Sequence, residues 1–284
     1  MIAITGASGQ LGRLVVNSLL QHTEAKNIIA LARNIDAVSD MVALGVQVRA
    51  ADYTKPETLK SALQGAEKLL LISSSAVGQR VEQHRAVIDA AKTEGVKLLA
   101  YTSILRAKTS PMTLAGEHKA TEELIEASGI PAVILRNGWY NENYTASLPA
   151  ILNSGMVAGA AKDGRIASAS RQDYADAAVS VLLSKQEQAG KVYELAGDSS
   201  FTLAEFATEI ATQTGKDIRY EALDEASFAS ALQSAGLPAG FANILAETEK
   251  YAAEGSLFDD GNTLSQLIAH KTKPIAESIS SAIA

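Results

Sequence analysis

The sequence contains no cysteine, which excludes disulfides, thiolate nucleophiles and cysteine-held zinc or iron–sulfur centres. It also lacks long apolar runs. Leu69-Leu70-Leu71-Ile72 is typical of what it has, far below the roughly 20 residues a bilayer span requires. Positive charge is not in excess either: the net charge is -7 and no basic block occurs, so nucleic acid is not an expected partner. The first residues carry neither the basic region nor the long apolar stretch of a secretory signal. A cytoplasmic protein is expected, with no membrane contact. Aromatic residues are scarce at 5%, and Trp139 is the only tryptophan. What remains is a chain of 284 residues, 47% apolar and 20% charged, long enough for one large domain or for a domain with a smaller lobe.

The first half alternates short apolar or β-branched runs with amphipathic stretches. Strands are expected at Ile2–Thr5, Asn27–Ala32, Val46–Ala50, Lys68–Ile72, Lys97–Thr102 and Ala132–Arg136. Helices are expected at Gln10–Gln21, Pro56–Leu63, Val81–Glu94 and Leu114–Ser128. In the first helix Leu11, Leu14, Val15, Leu19 and Leu20 recur at helical spacing, which makes one buried stripe. Strands separated by helices in this rhythm imply right-handed crossovers. The expected fold class is α/β, a Rossmann-type doubly wound parallel sheet with a small C-terminal α/β lobe. Beyond Asn137 the pattern loosens. Short strands are expected at Met156–Ala158, Ile166–Ser168 and Val192–Leu195, and helices at Arg171–Ser184, Thr202–Thr214, Asp224–Ser234 and Asn262–Ala269.

The chemistry-bearing features lie at the ends of the expected strands, where open α/β sheets bind ligands. Gly6, Gly9 and Gly12 join the first strand to the first helix. In such a loop one glycine permits the turn, one lets the backbone approach a pyrophosphate, and one lets helix pack on strand. The helix N-terminus adds free N–H groups and partial positive charge. The spacing is Gly-x-x-Gly-x-x-Gly, so a ligand-free glycine turn is the competing interpretation. After the second strand, where an acidic residue would select NAD, the chain has Arg33. A guanidinium can pair with a 2′-phosphate, which points to NADP(H); an ordinary surface arginine is the alternative. Asp52 is either an acceptor for an adenine amino group or a turn residue introducing "TKPE". Ser73-Ser74-Ser75 ends the fourth strand, and either lets the backbone run beside a cofactor or caps a turn. Trp139 and Tyr140 offer a flat surface for a flat substrate, or simply pack in the core.

The stretches "MIAITGASGQLG", "ADYTKPETL", "KLLLISSSAVGQR", "LRNGWYNENY", "GRIASASRQDYADAA" and "TLSQLIAHKTKPIAESI" make the chain resemble the NmrA-like group of atypical short-chain dehydrogenases/reductases. Within it the likeness is to the bacterial NAD(P)H:quinone oxidoreductase branch, with triphenylmethane reductase a near relative. The resemblance implies that Gly6, Ala7, Ser8, Gly9, Gln10 and Leu11 wrap a pyrophosphate and that Arg33 takes the 2′-phosphate of NADP(H). It further implies that Ser73, Ser74 and Ser75 lie along the cofactor, and that Asn137, Gly138, Trp139, Tyr140, Asn141 and Glu142 border the nicotinamide. Residues 1–150 are then the NADP(H)-binding core, and residues 151–284 return to the sheet and form the substrate-side lobe.

Many short-chain reductases protonate their product with Tyr-x-x-x-Lys. No tyrosine here is followed by lysine at that spacing, and the position four before Lys119 is Ala115. A quinone needs no such acid, because its hydroquinone anion takes protons from water; positioning alone can supply most of the catalysis. Lys119 is the one candidate proton donor, against the plain alternative of a solvated helix lysine. His84 and His118 come without a metal-ligand pattern, and no metal is expected. The expected activity is NADPH-dependent reduction of quinones without flavin or catalytic tyrosine. The alternatives are reduction of triphenylmethane dyes or other conjugated electrophiles, and a non-catalytic NADP(H)-sensing regulator. Expected partners are a small-molecule quinone and, as an open option, a second copy of the chain in a homodimer.

Overall fold

The strands of the first half are short and apolar nearly throughout, as strands covered on both faces must be. The computed structural model describes residues 1–284. Its elements alternate in the order β1 (Ile2–Ile4), α1 (Gln10–Leu20), β2 (Ile28–Ala32), α2 (Ser39–Ala43), β3 (Gln47–Ala50), α3 (Pro56–Leu63), β4 (Lys68–Leu71), α4 (Arg80–Thr93), β5 (Leu98–Ile104), α5 (Thr113–Ser128) and β6 (Ala132–Asn137). There follow α6 (Asn141–Thr145), α7 (Leu148–Ser154), β7 (Met156–Gly159), α8 (Arg171–Leu183), β8 (Val192–Leu195), α9 (Leu203–Thr214), β9 (Arg219–Ala222), α10 (Glu225–Ser234), α11 (Ala239–Ala253), α12 (Thr263–Ile268) and α13 (Ile275–Ile283).

Seven strands form one sheet in the order β3-β2-β1-β4-β5-β6-β8, and the neighbours from β3 to β6 pair in parallel. The order reverses at β1, between β2 and β4, which is where doubly wound sheets bind their ligands. Leu31, Leu69, Leu71, Leu99 and Tyr101 pack with Leu59 and Leu63 of α3, Val87 of α4 and Ile125 of α5. Helix α1 packs with α8, and Ser18 Oγ donates to Asp176 at 2.7 Å within that pair.

The chain divides into two compact units, each discontinuous in sequence. The first comprises Met1–Ala107, Gly116–Asn137 and Arg171–Glu194; the second comprises Lys108–Ala115, Gly138–Ser170 and Leu195–Ala284. A cut at residue 150 separates neither unit from the other, because residues 171–194 lie in the first and 138–150 in the second. Inside the second unit β7 pairs in parallel with β9. Tyr144, Phe201 and Phe206 form a ring cluster with centroids 5.3–5.8 Å apart, and Thr202 with Glu205 makes a capping box that starts α9.

The expected strand at Ile166–Ser168 does not form. Ile166 makes a single antiparallel bridge to Phe201, and the neighbouring donors are spent on turns and loops, as in Ala167 N to Leu257 O at 2.9 Å. No helix is long and apolar enough to cross a membrane.

Candidate functional site

The loop after β1 is shaped by two glycines. Gly6 has φ +59, a left-handed conformation that costs a side chain dearly. A Cβ on Gly12 would stand 2.3 Å from the Gly6 carbonyl oxygen and 2.8 Å from the Ala7 Cα, so only glycine lets α1 start this close to its own entry turn. Ala7 N donates to Leu31 O at 3.0 Å and Gly9 N to Gly6 O at 2.9 Å. Thr5 Oγ1 accepts from Ile72 N at 2.9 Å, tying the ends of β1 and β4 together. Ser8, Gly9 and Gln10 are exposed. The N–H groups of Ser8, Gln10 and Leu11 have no backbone acceptor, which is the usual state of donors at an α-helix start.

Arg33 follows β2 directly, is exposed and makes no hydrogen bond or ion pair. Arg13 of α1, by contrast, is occupied, with Nη1 on Asp40 at 2.7 Å. Asp52 proves to be a turn residue. Its Oδ1 accepts from the Thr54 backbone N–H at 2.9 Å and from Thr54 Oγ1 at 2.8 Å, and those donors hold its carboxyl below the usual range.

The serine loop after β4 is built differently. Ser73 N donates to Thr102 Oγ1 at 2.9 Å. Ser74 spends every polar group on protein: its N–H donates to His84 Nε2 at 2.9 Å, its Oγ donates to Gln83 Oε1 at 2.6 Å, and its carbonyl accepts from Arg80 Nε at 2.5 Å. At the far end of the loop Glu117 Oε1 accepts from Gly78 N and Arg80 N at 3.0 and 3.2 Å. Ser74 therefore has no hydroxyl to offer a ligand; within the triplet it is Ser75 that is exposed.

At the end of β6, Arg136 grips Glu122 with two bonds of 2.9 and 2.6 Å and reaches Glu194 with a third of 2.6 Å. Glu194 in turn accepts from Arg106 N at 2.8 Å, where the backbone is left-handed with φ 55. Breaking a buried pair of this kind costs about 3–5 kcal/mol. The next residue, Asn137, is buried and its side-chain Oδ1 has no partner.

Gly138 N donates to Leu195 O at 2.7 Å, and Ala169 N donates to Trp139 O at 3.2 Å. Trp139 and Tyr140 are half-buried. Asn141 spends its side chain within the protein. It is fully buried, its Nδ2 donates to Lys273 O and to Ser278 Oγ at 2.9 Å each, and its Oδ1 accepts from Ser168 Oγ at 2.6 Å. Its side chain is saturated by the C-terminal segment, which it anchors.

Lys119 is exposed on α5, one residue off the buried stripe of His118, Thr121, Glu122 and Ile125. Tyr101 is fully buried, its hydroxyl 2.8 Å from His118 Nδ1, and burial pushes its phenol well up. It is a core residue.

A profile of the NmrA-like family matches residues 1–282. The chain belongs to the NmrA-like family. It is 56% identical over 280 residues to Quinone oxidoreductase 2 of Escherichia coli strain K12, covering 99% of this chain and 98% of that one. Among solved structures it is similar to the NADPH complex of the NADPH-dependent quinone oxidoreductase from Escherichia coli, with a TM-score of 0.98, 55% identity and full coverage of both chains. The Citrobacter sp. triphenylmethane reductase complexed with NADP(H) follows, with a TM-score of 0.95 and 34% identity over 99% of this chain and 100% of that one. The family is the one that the glycine loop and the serine triplet pointed to.

In this chain Thr5, Thr102, Arg80 and Glu117 are supporting residues that sequence reasoning passed over, and His84, considered there only as a metal ligand, is another. Each is an ordinary residue in an ordinary pattern, and only the fold brings them to the loops.

Proposed function

We propose that this chain catalyses two-electron reduction of quinones by NADPH, with direct hydride transfer and neither flavin nor catalytic tyrosine. The observation that carries this is the full-length likeness to the Escherichia coli quinone oxidoreductase, 56% identical over 280 residues. The first unit fits the cofactor by its own geometry. The N–H groups of Ser8, Gln10 and Leu11, at the positive end of α1, suit a pyrophosphate, and the unpaired Arg33 guanidinium suits a 2′-phosphate. The Ser73–Ser75 backbone offers a pre-set wall. Asn137 Oδ1 is a buried acceptor with no partner, a costly state that the N–H of a nicotinamide carboxamide would relieve.

When bound, NADPH supplies the hydride that a quinone accepts. The protein's task is then to hold and orient, since closeness and alignment can supply most of the rate. Trp139 and Tyr140 are our candidates for the flat surface against a quinone ring, with Gly138 and Glu142 beside them in the chain. Water can protonate the hydroquinone, so no proton transfer is assigned to Lys119. The likeness to the triphenylmethane reductase, at 34% identity, keeps conjugated dyes as a second acceptor class.

The test is NADPH oxidation by dialysed protein with a panel of quinones and one triphenylmethane dye. Oxidation of one NADPH per quinone, without added flavin, is expected. Tight NADPH binding with no oxidation by any acceptor would overturn the proposal and favour an NADP(H)-sensing regulator.

A further inference from the structure

His84 is a fully buried imidazole whose two nitrogens have fixed roles. The Ser74 backbone N–H can only donate, so Nε2, 2.9 Å away, is the unprotonated acceptor. Nδ1 therefore carries the hydrogen and donates to Thr121 Oγ1 at 2.9 Å. Thr121 Oγ1 donates in turn to the Glu117 backbone carbonyl at 2.8 Å, so the direction of every bond in the series is set. Tyr53 and Tyr101 stand edge-on to the ring, with centroids 6.4 and 5.5 Å away, and prevent it from turning.

We propose that His84 is a positioning residue for the cofactor: as its Nδ1–H tautomer it holds the Ser74 backbone, and through it the Ser73–Ser75 wall, in place before any ligand arrives. This inference rests on the proposed function, in which that wall runs along NADPH. The geometry supports it on two counts. Ser74 has lost its hydroxyl and its carbonyl to Gln83 and Arg80, so its main-chain position depends on three side chains, and His84 alone fixes the N–H. Burial and the nearby Arg80 charge also keep His84 neutral, with its proton affinity pushed down to about 4, so the acceptor persists at neutral pH.

The discriminating variants are His84→Phe, which fills the space without an acceptor, and His84→Gln, whose Oε1 can accept from Ser74 N–H. The NADPH Kd and KM should rise about tenfold in His84→Phe, the scale of one stranded buried donor. The kcat at saturating NADPH should stay within about twofold, since binding is weakened equally in the ground state and the transition state. His84→Gln should return the Kd to within about threefold of wild type. Nitrogen-15 NMR of the unmodified protein gives a check that needs neither variant nor ligand: Nε2 should resonate as unprotonated and Nδ1 as protonated. The opposite tautomer, or a Kd in folded His84→Phe equal to wild type while its thermal stability drops, would overturn the inference alone. Failure of the wild-type protein to bind NADPH would overturn both the inference and the proposed function.

Discussion

The loop after β1 and the loop after β4 follow the carboxyl ends of neighbouring parallel strands, and are made by opposite means. The first is written in its own residues. Gly6 supplies a left-handed turn and Gly12 supplies absence of a side chain where a Cβ would meet backbone at 2.3 Å. The second is written in its surroundings. Ser74 is held by Arg80, Gln83 and His84, and the loop's far end by Glu117. A backbone-made loop tolerates little change within itself and is indifferent to neighbours; a side-chain-made loop behaves the other way round.

The difference can be broken at several places. The largest effect is expected from Gly12→Ala. The clash is with backbone that cannot yield, so about 3 kcal/mol or more of stability should go, as overpacking does at its worst. Urea unfolding should show it, together with loss of NADPH binding. Acid should reach the second loop and spare the first. His84 and His118 are held neutral by burial, with Arg80 adjacent, at about 4 and about 3, below the unfolded value near 6.5. Between those values the unfolded chain binds more protons than the folded one, so stability is full above about pH 6.5 and falls as pH drops, by about 1.4 kcal/mol per pH unit for each histidine. Unfolding titrations across that range, with and without His84→Gln, check the sign.

A subtler change separates cofactor choice from loop shape. Arg33→Glu should weaken NADPH by about 10- to 100-fold, the scale of one charged hydrogen-bonded contact, and leave NADH nearly unchanged. Equal loss for both cofactors would contradict the role given to Arg33. Smallest of all is Lys119→Ala. The side chain is exposed and makes no bond, so quinone turnover should stay within about twofold, as for a solvated surface residue.

The same contrast explains what could be read from the chain. The sheet was legible because its inner strands, such as Ile28–Ala32, are apolar runs separated by helices. The glycine loop was legible because its constraint is local. The role of Asn141 was not: its partners Lys273 and Ser278 lie more than 130 residues away. Neither were the Arg136 network nor the histidine that holds Ser74, since each depends on residues brought together by folding. The strand β9 was missed because its residues Arg219–Ala222 are mostly exposed, and exposure removes the apolar signal. Helix α11 begins after Pro238 and contains Gly240, a sequence that reads as a loop. The Ile166–Ser168 stretch has one β-branched residue, and loop partners claim its backbone.

The central claim is that hydride passes directly from NADPH to a quinone on a protein surface that only positions them. Turnover of dialysed, flavin-free protein with NADPH deuterated stereospecifically at C4 tests it most directly. A primary isotope effect for one of the two deuterated faces, with one quinone reduced per NADPH, is the predicted result. Turnover that appears only on adding flavin, or NADPH that binds and is never oxidised, would contradict it.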